Sequence, residues 1–201
     1  MRFAPGVRRF AVPAFAAAAV LSVLAPPLAV LALAVGAFVV WFFRDPERRP
    51  SGPGVVSPAD GRVSVVREEG DQFRVGVFMN VTDVHVNRAP LDGRVERVTH
   101  RPGKHLPAFS KESERNERVD VDVATDDGPA ELSFIAGAFA RRIHPYVDAG
   151  DDLARAQRTG HIDFGSRADV LLPPAYDRED LLVEVGDTVR AGESIIAAKA
   201  R

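Results

Sequence analysis

The stretch H-I-D-F-G-S-R-A-D-V-L-L-P (161–173) sets a Gly-Ser pair just before an apolar run. The short, mostly apolar run Ala168–Leu172, which includes Asp169, predicts a β-strand. Gly and Ser are common in turns, so the pair alone says little about chemistry. Its meaning depends on the segments around it, beginning with the other strands of the same body.

Short apolar runs, several alternating with polar residues, precede this stretch and are typical of β-strands. No long amphipathic helical pattern interrupts them. We therefore predict a mainly β domain over residues 55–201. Before the 161–173 stretch, the predicted strands cover 55–56, 62–67, 73–78, 84–86, 94–98, 119–124 and 131–135.

The β domain contains an internal near-repeat. The pattern P-x-D-G-R-V occurs at 58–63 and again at 90–95, a spacing of 32 residues. Because Asp-Gly before a strand is a tight-turn signal, the two copies predict related hairpins. The segment V-G-D-T-V-R-A-G-E (185–193) resembles the hairpin of barrel-sandwich domains. We expect a barrel-sandwich-like body with pseudo-repeated hairpins.

The N-terminal region is apolar, with no charged residue from Phe10 to Phe43. A bilayer span needs roughly 20 apolar residues. Pro26-Pro27 divides the run, so either a helical hairpin or one longer helix fits; a cleaved signal peptide is the third reading. Basic residues at both ends favour the hairpin with a cytoplasmic body. We predict a membrane segment over 1–44 and a linker over 45–54. The flanking arginines are Arg8, Arg9, Arg44, Arg48 and Arg49.

Composition excludes several classes of function. The 201 residues carry a formal net charge of −2, which does not favour a nucleic-acid partner. With no cysteine, disulfides and thiolate chemistry are absent. A membrane-anchored carrier without catalysis is an alternative, but it needs a lysine at a hairpin tip. The lysines, Lys104, Lys111 and Lys199, lie in loops and the C-terminal tail.

Three further segments place polar residues beside turns: S-P-A-D-G (57–61), T-D-V-H-V-N-R-A-P (82–90) and R-N-E-R (115–118). Asp83 and His85 are two apart, so on a strand they share a face, where a carboxylate makes imidazole a better base. A Ser-His-Asp hydrolase is one way to combine these pieces, but Ser166 lacks the G-x-S-x-G elbow. The histidines are scattered in sequence, so no metal site is predicted. They are His85, His100, His105, His144 and His161.

Taken together in this order, S-P-A-D-G, D-V-H-V-N-R-A-P, R-N-E-R-V and F-G-S-R-A-D-V-L-L-P resemble the short form of phosphatidylserine decarboxylase. The resemblance runs from about Phe43 to the C-terminus. It implies that the chain cuts itself between Gly165 and Ser166 and converts Ser166 into a covalent pyruvoyl cofactor. The products would be a β fragment, 1–165, and an α fragment, 166–201, that form a heterodimer, with a higher oligomer possible.

The same resemblance implies the roles of individual residues. His85 is the expected base, with Asp60 and Asp83 to orient it or share its charge. Longer bacterial members have a second histidine three positions after the first, where this chain has Arg88. Arg88 and Asn116 are therefore expected to bind substrate.

The implied reaction converts phosphatidylserine to phosphatidylethanolamine and CO2 at the cytoplasmic face of the cell membrane. Two alternatives to this function stay open. One is a chain that is processed but inactive, and the other is a substrate lipid with an ether-linked archaeal backbone.

Overall fold

The computed structural model describes residues 2–106, 115–138, 142–163 and 166–199. The chain divides between Glu47 and Arg48 into two compact units. The first contains both described helices, and the second contains most of the strands. The protein is thus mainly β, as the sequence predicts.

The N-terminal unit is a pair of apolar helices, α1 (Val7–Leu24) and α2 (Pro26–Phe42). Pro26 and Pro27 occupy the first turn of α2, where a missing N–H costs no hydrogen bond. The helices pack closely, since a Cβ on Gly36 would meet the ring of Phe15 at 2.8 Å. The predicted helical hairpin is confirmed as a helix pair. Strands β1 (Arg2–Phe3) and β2 (Arg44–Asp45) join its two ends.

One helix in the described part of the chain is long and apolar enough to cross a membrane. It is α1, with 18 residues and a mean hydropathy of 1.6. The 17 residues of α2 are also apolar but form a shorter helix.

The body is built from short strands. They are β3 (Val55–Val56), β4 (Gly61–Glu69), β5 (Gln72–Met79), β6 (Val86–Arg88), β7 (Gly93–Arg101), β8 (Arg118–Thr125), β9 (Gly128–Ala136), β10 (Ile143–Pro145), β11 (Asp152–Leu153), β12 (Arg158–Ile162), β13 (Ser166–Leu171), β14 (Thr188–Val189) and β15 (Ile195–Ala197). The strand predicted over 84–86 lies instead at 86–88, and β10, β11 and β12 were not predicted.

Eight of these strands form a curled antiparallel sheet in the order β11-β7-β8-β9-β13-β5-β4-β14. Strands β10, β12 and β6 form a second sheet, and β15 pairs with β3. Alternate residues of the central strands face one hydrophobic core. Val75, Val77, Phe134, Ala168 and Val170 are among its fully buried members. The strand that follows the Gly-Ser pair is therefore central to the body.

The near-repeat produces two related strands. Each Asp-Gly opens a nine-residue strand, β4 at Gly61 and β7 at Gly93. Each strand then shifts register at an equivalent place, between Val63 and Val65 in β4 and between Val95 and Arg97 in β7. Both glycines lie against backbone oxygens of the neighbouring strand, so a side chain would clash at either position. The near-repeat therefore gives two related strands, but its Asp-Gly turns do not close hairpins, because β3 pairs with β15 and β6 with β12, each in a different sheet from the strand that follows it.

Candidate active site

Ser166 begins β13, the strand between β5 and β9 in the large sheet. It pairs with Met79 on one side and with Ala136 on the other. Its side chain is fully buried and lies on the same face of β13 as Ala168 and Val170, which belong to the core. The predicted cleavage partner, Gly165, lies outside the described residues.

The hydroxyl of Ser166 has a weak partner. Its Oγ lies 4.0 Å from the Sδ of Met79, and the same sulfur lies 3.7 Å from Nδ2 of Asn87. The amide of Asn87 is fully buried, and its Oδ1 accepts no hydrogen bond within the described residues. Thioether sulfur is a poor acceptor, so neither polar group is firmly held here. Asn87 lies in the D-V-H-V-N-R-A-P motif, but it is not among the site residues predicted from the sequence.

His85 is buried at the entrance to β6, and its orientation is fixed by backbone. Its Nδ1 lies 3.0 Å from the carbonyl oxygen of Asp83. Because a carbonyl only accepts hydrogen bonds, Nδ1 carries a proton in this contact. The His85 carbonyl accepts from the N–H of Ile162 at 3.4 Å, so this segment lies beside the chain that leads to Ser166.

The two predicted aspartates are held by different groups. Asp83 is in a turn before β6, not on a strand face with His85, and its carboxylate accepts from the N–H of Asn80 at 2.7 Å. Local turn chemistry explains this outcome, because Asp side chains readily accept backbone N–H bonds. Asp60 accepts from the N–H of Ala191 and from Arg48, both at 2.8 Å, so its carboxylate connects the start of the body to the C-terminal segment. Its expected role beside His85 stays a prediction.

Arg88 is buried and donates from Nη1 to the carbonyl oxygen of Ala156 at 2.9 Å. Ala156 has a φ of 66°, the one positive value found at a described residue other than glycine. Arg88 thus stabilises an unfavourable turn. Its expected contact with substrate stays a prediction.

Asn116 links the last residue of β9, Ala136, to Leu106 through hydrogen bonds. Its Nδ2 donates to the carbonyl oxygens of Leu106 and Ala136, both at 2.7 Å, and its Oδ1 accepts from the N–H of Leu106 at 2.9 Å. Both amide hydrogens are therefore used by backbone, which favours a positioning role over the substrate contact that the sequence predicts. Since Ala136 pairs with Ser166, this link fixes a strand residue next to the serine.

The four sequence motifs converge on the two strands that flank Ser166. Asn116 reaches Ala136 on β9, and Asn87 reaches Met79 at the end of β5. The S-P-A-D-G motif joins them, because Gly61 packs against the backbone of Phe78. The N–H of Arg88 also donates to Pro58 of that motif at 2.9 Å. Residues far apart in sequence thus contact the two strands that pair with Ser166 or support one another beside them.

A second polar cluster lies just before the Gly-Ser pair, at the ends of β10 and β12. His144 and His161 are direct partners across the two strands, and their rings stack at 4.4 Å between centroids. Asp163 lies 3.4 Å from Nε2 of His144 and 3.5 Å from Nε2 of His161. Although the histidines are scattered in sequence, strand pairing brings His144 and His161 together, and the sequence did not predict this cluster.

The electrostatics of this cluster favour an ionised carboxylate. Burial opposes the charge of Asp163, but bonds and charge from His161 and His144 outweigh it and hold the pKa of Asp163 below its usual value. Tyr146 lies 2.7 Å through its hydroxyl from Nδ1 of His161, which fixes the ring. Asp163 and His161 are buried, whereas His144 is part-exposed beside a cleft of about 350 Å³.

Comparison of the sequence with known proteins identifies the family of this chain. A putative archaetidylserine decarboxylase proenzyme of Halobacterium salinarum is 64% identical over 172 residues, 85% of this chain and 86% of the relative. A phosphatidylserine decarboxylase proenzyme of Thermobifida fusca is 47% identical over 201 residues, 96% and 91% of the two chains. The profile of the phosphatidylserine decarboxylase family matches residues 35–197. With its motifs gathered around Ser166, the chain belongs to the phosphatidylserine decarboxylase family, whose curated relatives are decarboxylase proenzymes.

Proposed function

We propose that the chain matures by cutting itself at Gly165–Ser166. Ser166 Oγ adds to the Gly165 carbonyl, and the amide becomes an ester as the Ser166 nitrogen leaves. Loss of the Cα proton then expels the Gly165 carboxylate and leaves dehydroalanine at residue 166. Addition of water and release of ammonia give a pyruvoyl group at the start of the α fragment.

The observation that carries this proposal is that three of the motifs contact the two strands on either side of Ser166, which the fourth motif contains. Among the described residues, the buried serine hydroxyl has a thioether as its neighbour, so it is not needed to hold the fold. Its activation requires a base, and the imidazole of His85 takes that role in this proposal. Burial in an apolar core also excludes bulk water, which would otherwise compete with the hydroxyl for the carbonyl.

The mature protein then removes CO2 from the serine head group of a phospholipid. A pyruvoyl group binds the substrate amine and accepts the electrons that the departing carboxylate leaves behind. His85 returns a proton to the product carbon. The apolar surroundings favour the loss of charge when the carboxylate leaves as CO2. The product from phosphatidylserine is phosphatidylethanolamine.

Intact mass spectrometry of the purified full chain tests the processing step. The wild type should give two fragments divided between residues 165 and 166, the smaller one with a pyruvoyl N-terminus. Ser166→Ala should stay whole. Ser64→Ala is the control, because Ser64 makes only a long bond of 3.4 Å to Gly76 and should not affect cutting. An uncut wild type in detergent or lipid would refute the proposal.

The lipid backbone is a separate question. Phosphatidylserine is the proposed substrate, while the 64% identity with the Halobacterium salinarum protein favours archaetidylserine as a second candidate. Both present the same serine head group, so the catalytic residues do not distinguish them. Assays of CO2 release from each lipid in matched micelles should show turnover of phosphatidylserine. Turnover of the ether lipid alone would reassign the substrate.

We also propose that the helix pair anchors the body at the cytoplasmic face of the membrane. The apolar helices have basic residues at both ends, and Arg44 stacks over the ring of Trp41 at 4.1 Å, an arrangement suited to the membrane–water interface.

The chain has no cysteine, so single cysteines introduced at Pro5 and Glu179 can report on which side of the membrane each position lies. An impermeant thiol reagent should label both from the cytoplasmic side only. Labelling from opposite sides would contradict the hairpin.

A further inference from the structure

The cluster of His144, His161 and Asp163 is not required by the maturation chemistry. Its three groups converge: one ligand atom from each lies within 4.8 Å of the others. Asp163 is buried, and its Oδ1 accepts no hydrogen bond within the described residues. A buried carboxylate oxygen with an unused acceptor is costly unless something fills the site.

We propose that these three side chains bind a divalent transition-metal ion of the Zn²⁺ class. Two imidazoles and one carboxylate are a donor set that suits zinc far better than calcium or magnesium, which prefer oxygen ligands. Three protein ligands leave a fourth position open. The part-exposed ring of His144 borders a cleft, so water can occupy that position.

The distances match the size of such an ion. Bonds of about 2.0–2.1 Å around a tetrahedral zinc separate neighbouring ligand atoms by about 3.3–3.5 Å. Nε2 of His144 lies 3.4 Å from Oδ2 of Asp163, and Nε2 of His161 lies 3.5 Å from Oδ1 of the same carboxylate. These separations are at the long limit for hydrogen bonds, and they suit an ion held between the two rings and the carboxylate.

The surroundings fix the ligand atoms as zinc sites commonly require. Tyr146 lies 2.7 Å from Nδ1 of His161, so this nitrogen can donate to the hydroxyl while Nε2 faces the ion. The N–H of Asp163 donates to the carbonyl of Arg142 at 3.2 Å, which holds the carboxylate beside β10. An ion here would fasten β10 to the segment two residues before Gly165. All three ligands precede the proposed cut, so the ion would stay with the β fragment.

Metal binding is tested on the uncut full chain, Ser166→Ala, purified without a histidine tag, so the result does not depend on self-cleavage. Elemental analysis should find about one zinc per chain, and the Co²⁺ derivative should show the intense visible absorption of a four-coordinate site. His144→Gln should weaken Zn²⁺ binding at least ~100-fold, since a lost ligand costs more than a lost outer-shell partner. His144 is part-exposed, so the variant should fold.

His100→Gln is the matched control. His100 lines the same cleft as His144 and has its Nε2 2.8 Å from Glu117, but it is not one of the three proposed ligands. His100→Gln should bind Zn²⁺ as the parent does. The proposal fails if the parent binds no more tightly than His144→Gln. It also fails if His100→Gln weakens binding equally, because the ion would then lie in the cleft and not between the three side chains.

Discussion

At the scale of single residues, the feature that bears most on chemistry is the amide of Asn87. It is fully buried, and its contacts to Pro58 and Met79, at 3.5 Å and 3.7 Å, are long. It adjoins the sulfur that also contacts Ser166. Because these contacts are long, the amide N–H can turn to stabilise the negative oxygen that forms in the proposed attack of Ser166 on the Gly165 carbonyl.

We therefore expect Asn87→Leu to slow self-cleavage by roughly 10²-fold, the usual effect of removing one such donor. The fraction of cut chain is followed by mass spectrometry after synthesis in a cell-free system. Thr159→Val is the control, because Thr159 is also buried with no hydrogen bond to its hydroxyl in the described structure. Cutting at the parental rate in Asn87→Leu would remove the amide from the mechanism.

Arg88 gives a second prediction at this scale. Lysine keeps the charge and can still reach the Ala156 carbonyl, but it lacks the planar fork that binds a phosphate or carboxylate through two bonds. If Arg88 binds substrate, Arg88→Lys should raise the Michaelis constant several-fold and leave self-cleavage intact. Exposed Arg178→Lys should change neither. A lower unfolding temperature with an unchanged Michaelis constant would limit Arg88 to supporting the turn.

At the scale of elements, the loop after β8 holds the C-terminal segment. Asp127 accepts from Tyr176 at 3.2 Å through one oxygen and from Lys199 through the other. Lys199 holds the pKa of Asp127 below its usual value. Burial and the charge of Asp127 raise the pKa of Tyr176 to about 12. The proposed cut places Asp127 on one fragment and its two partners on the other.

This contact predicts a loss of stability in alkali. A tyrosine whose pKa is higher in the folded state stabilises the fold below its unfolded pKa of about 10, and the contribution disappears as the pH rises to about 12. The unfolding temperature in detergent should therefore fall more steeply over that pH range in the parent than in Tyr176→Phe. Below the unfolded pKa of about 10 the two curves should run parallel, which serves as the control. Equal slopes in Tyr176→Phe and the parent would contradict this.

At the scale of the whole molecule, the strands of the proposed α fragment pair with strands of the β fragment in shared sheets. It supplies β13 between β5 and β9, β14 beside β4, and β15 beside β3. Its residues Ala168, Val170 and Leu172 are also fully buried in the shared core. Separation would require the core to be opened, because every one of these strands pairs with a strand of the other fragment.

We therefore expect the two fragments to elute together in mild detergent and to separate only in denaturant. Size-exclusion chromatography followed by intact mass analysis measures this, with the uncut Ser166→Ala chain as the reference volume. Elution of a free α fragment without denaturant would show that the sheet does not survive the cut.

The sequence predicts local features of this protein well and spatial ones less well. Period-two runs located most strands of the large sheet, and the near-repeat predicted the relation between β4 and β7, although its Asp-Gly turns do not close hairpins. Pairing between distant strands is invisible in a single sequence, so the opposition of His144 and His161 was missed. Asp83 was expected to share a strand face with His85 but lies in a turn, where it binds the N–H of Asn80.

The central place of β13 also sets the order of events in the life of the chain. Ser166 meets Met79 across 87 residues of sequence, and β3 is paired only after β15, near the C-terminus, has been made. A ribosome must therefore finish nearly the entire polypeptide before the serine reaches its reactive surroundings. Such distant pairings form late in folding. The proposed self-cutting would then act as quality control, because a truncated or misassembled chain would keep its amide and never acquire a reactive ketone.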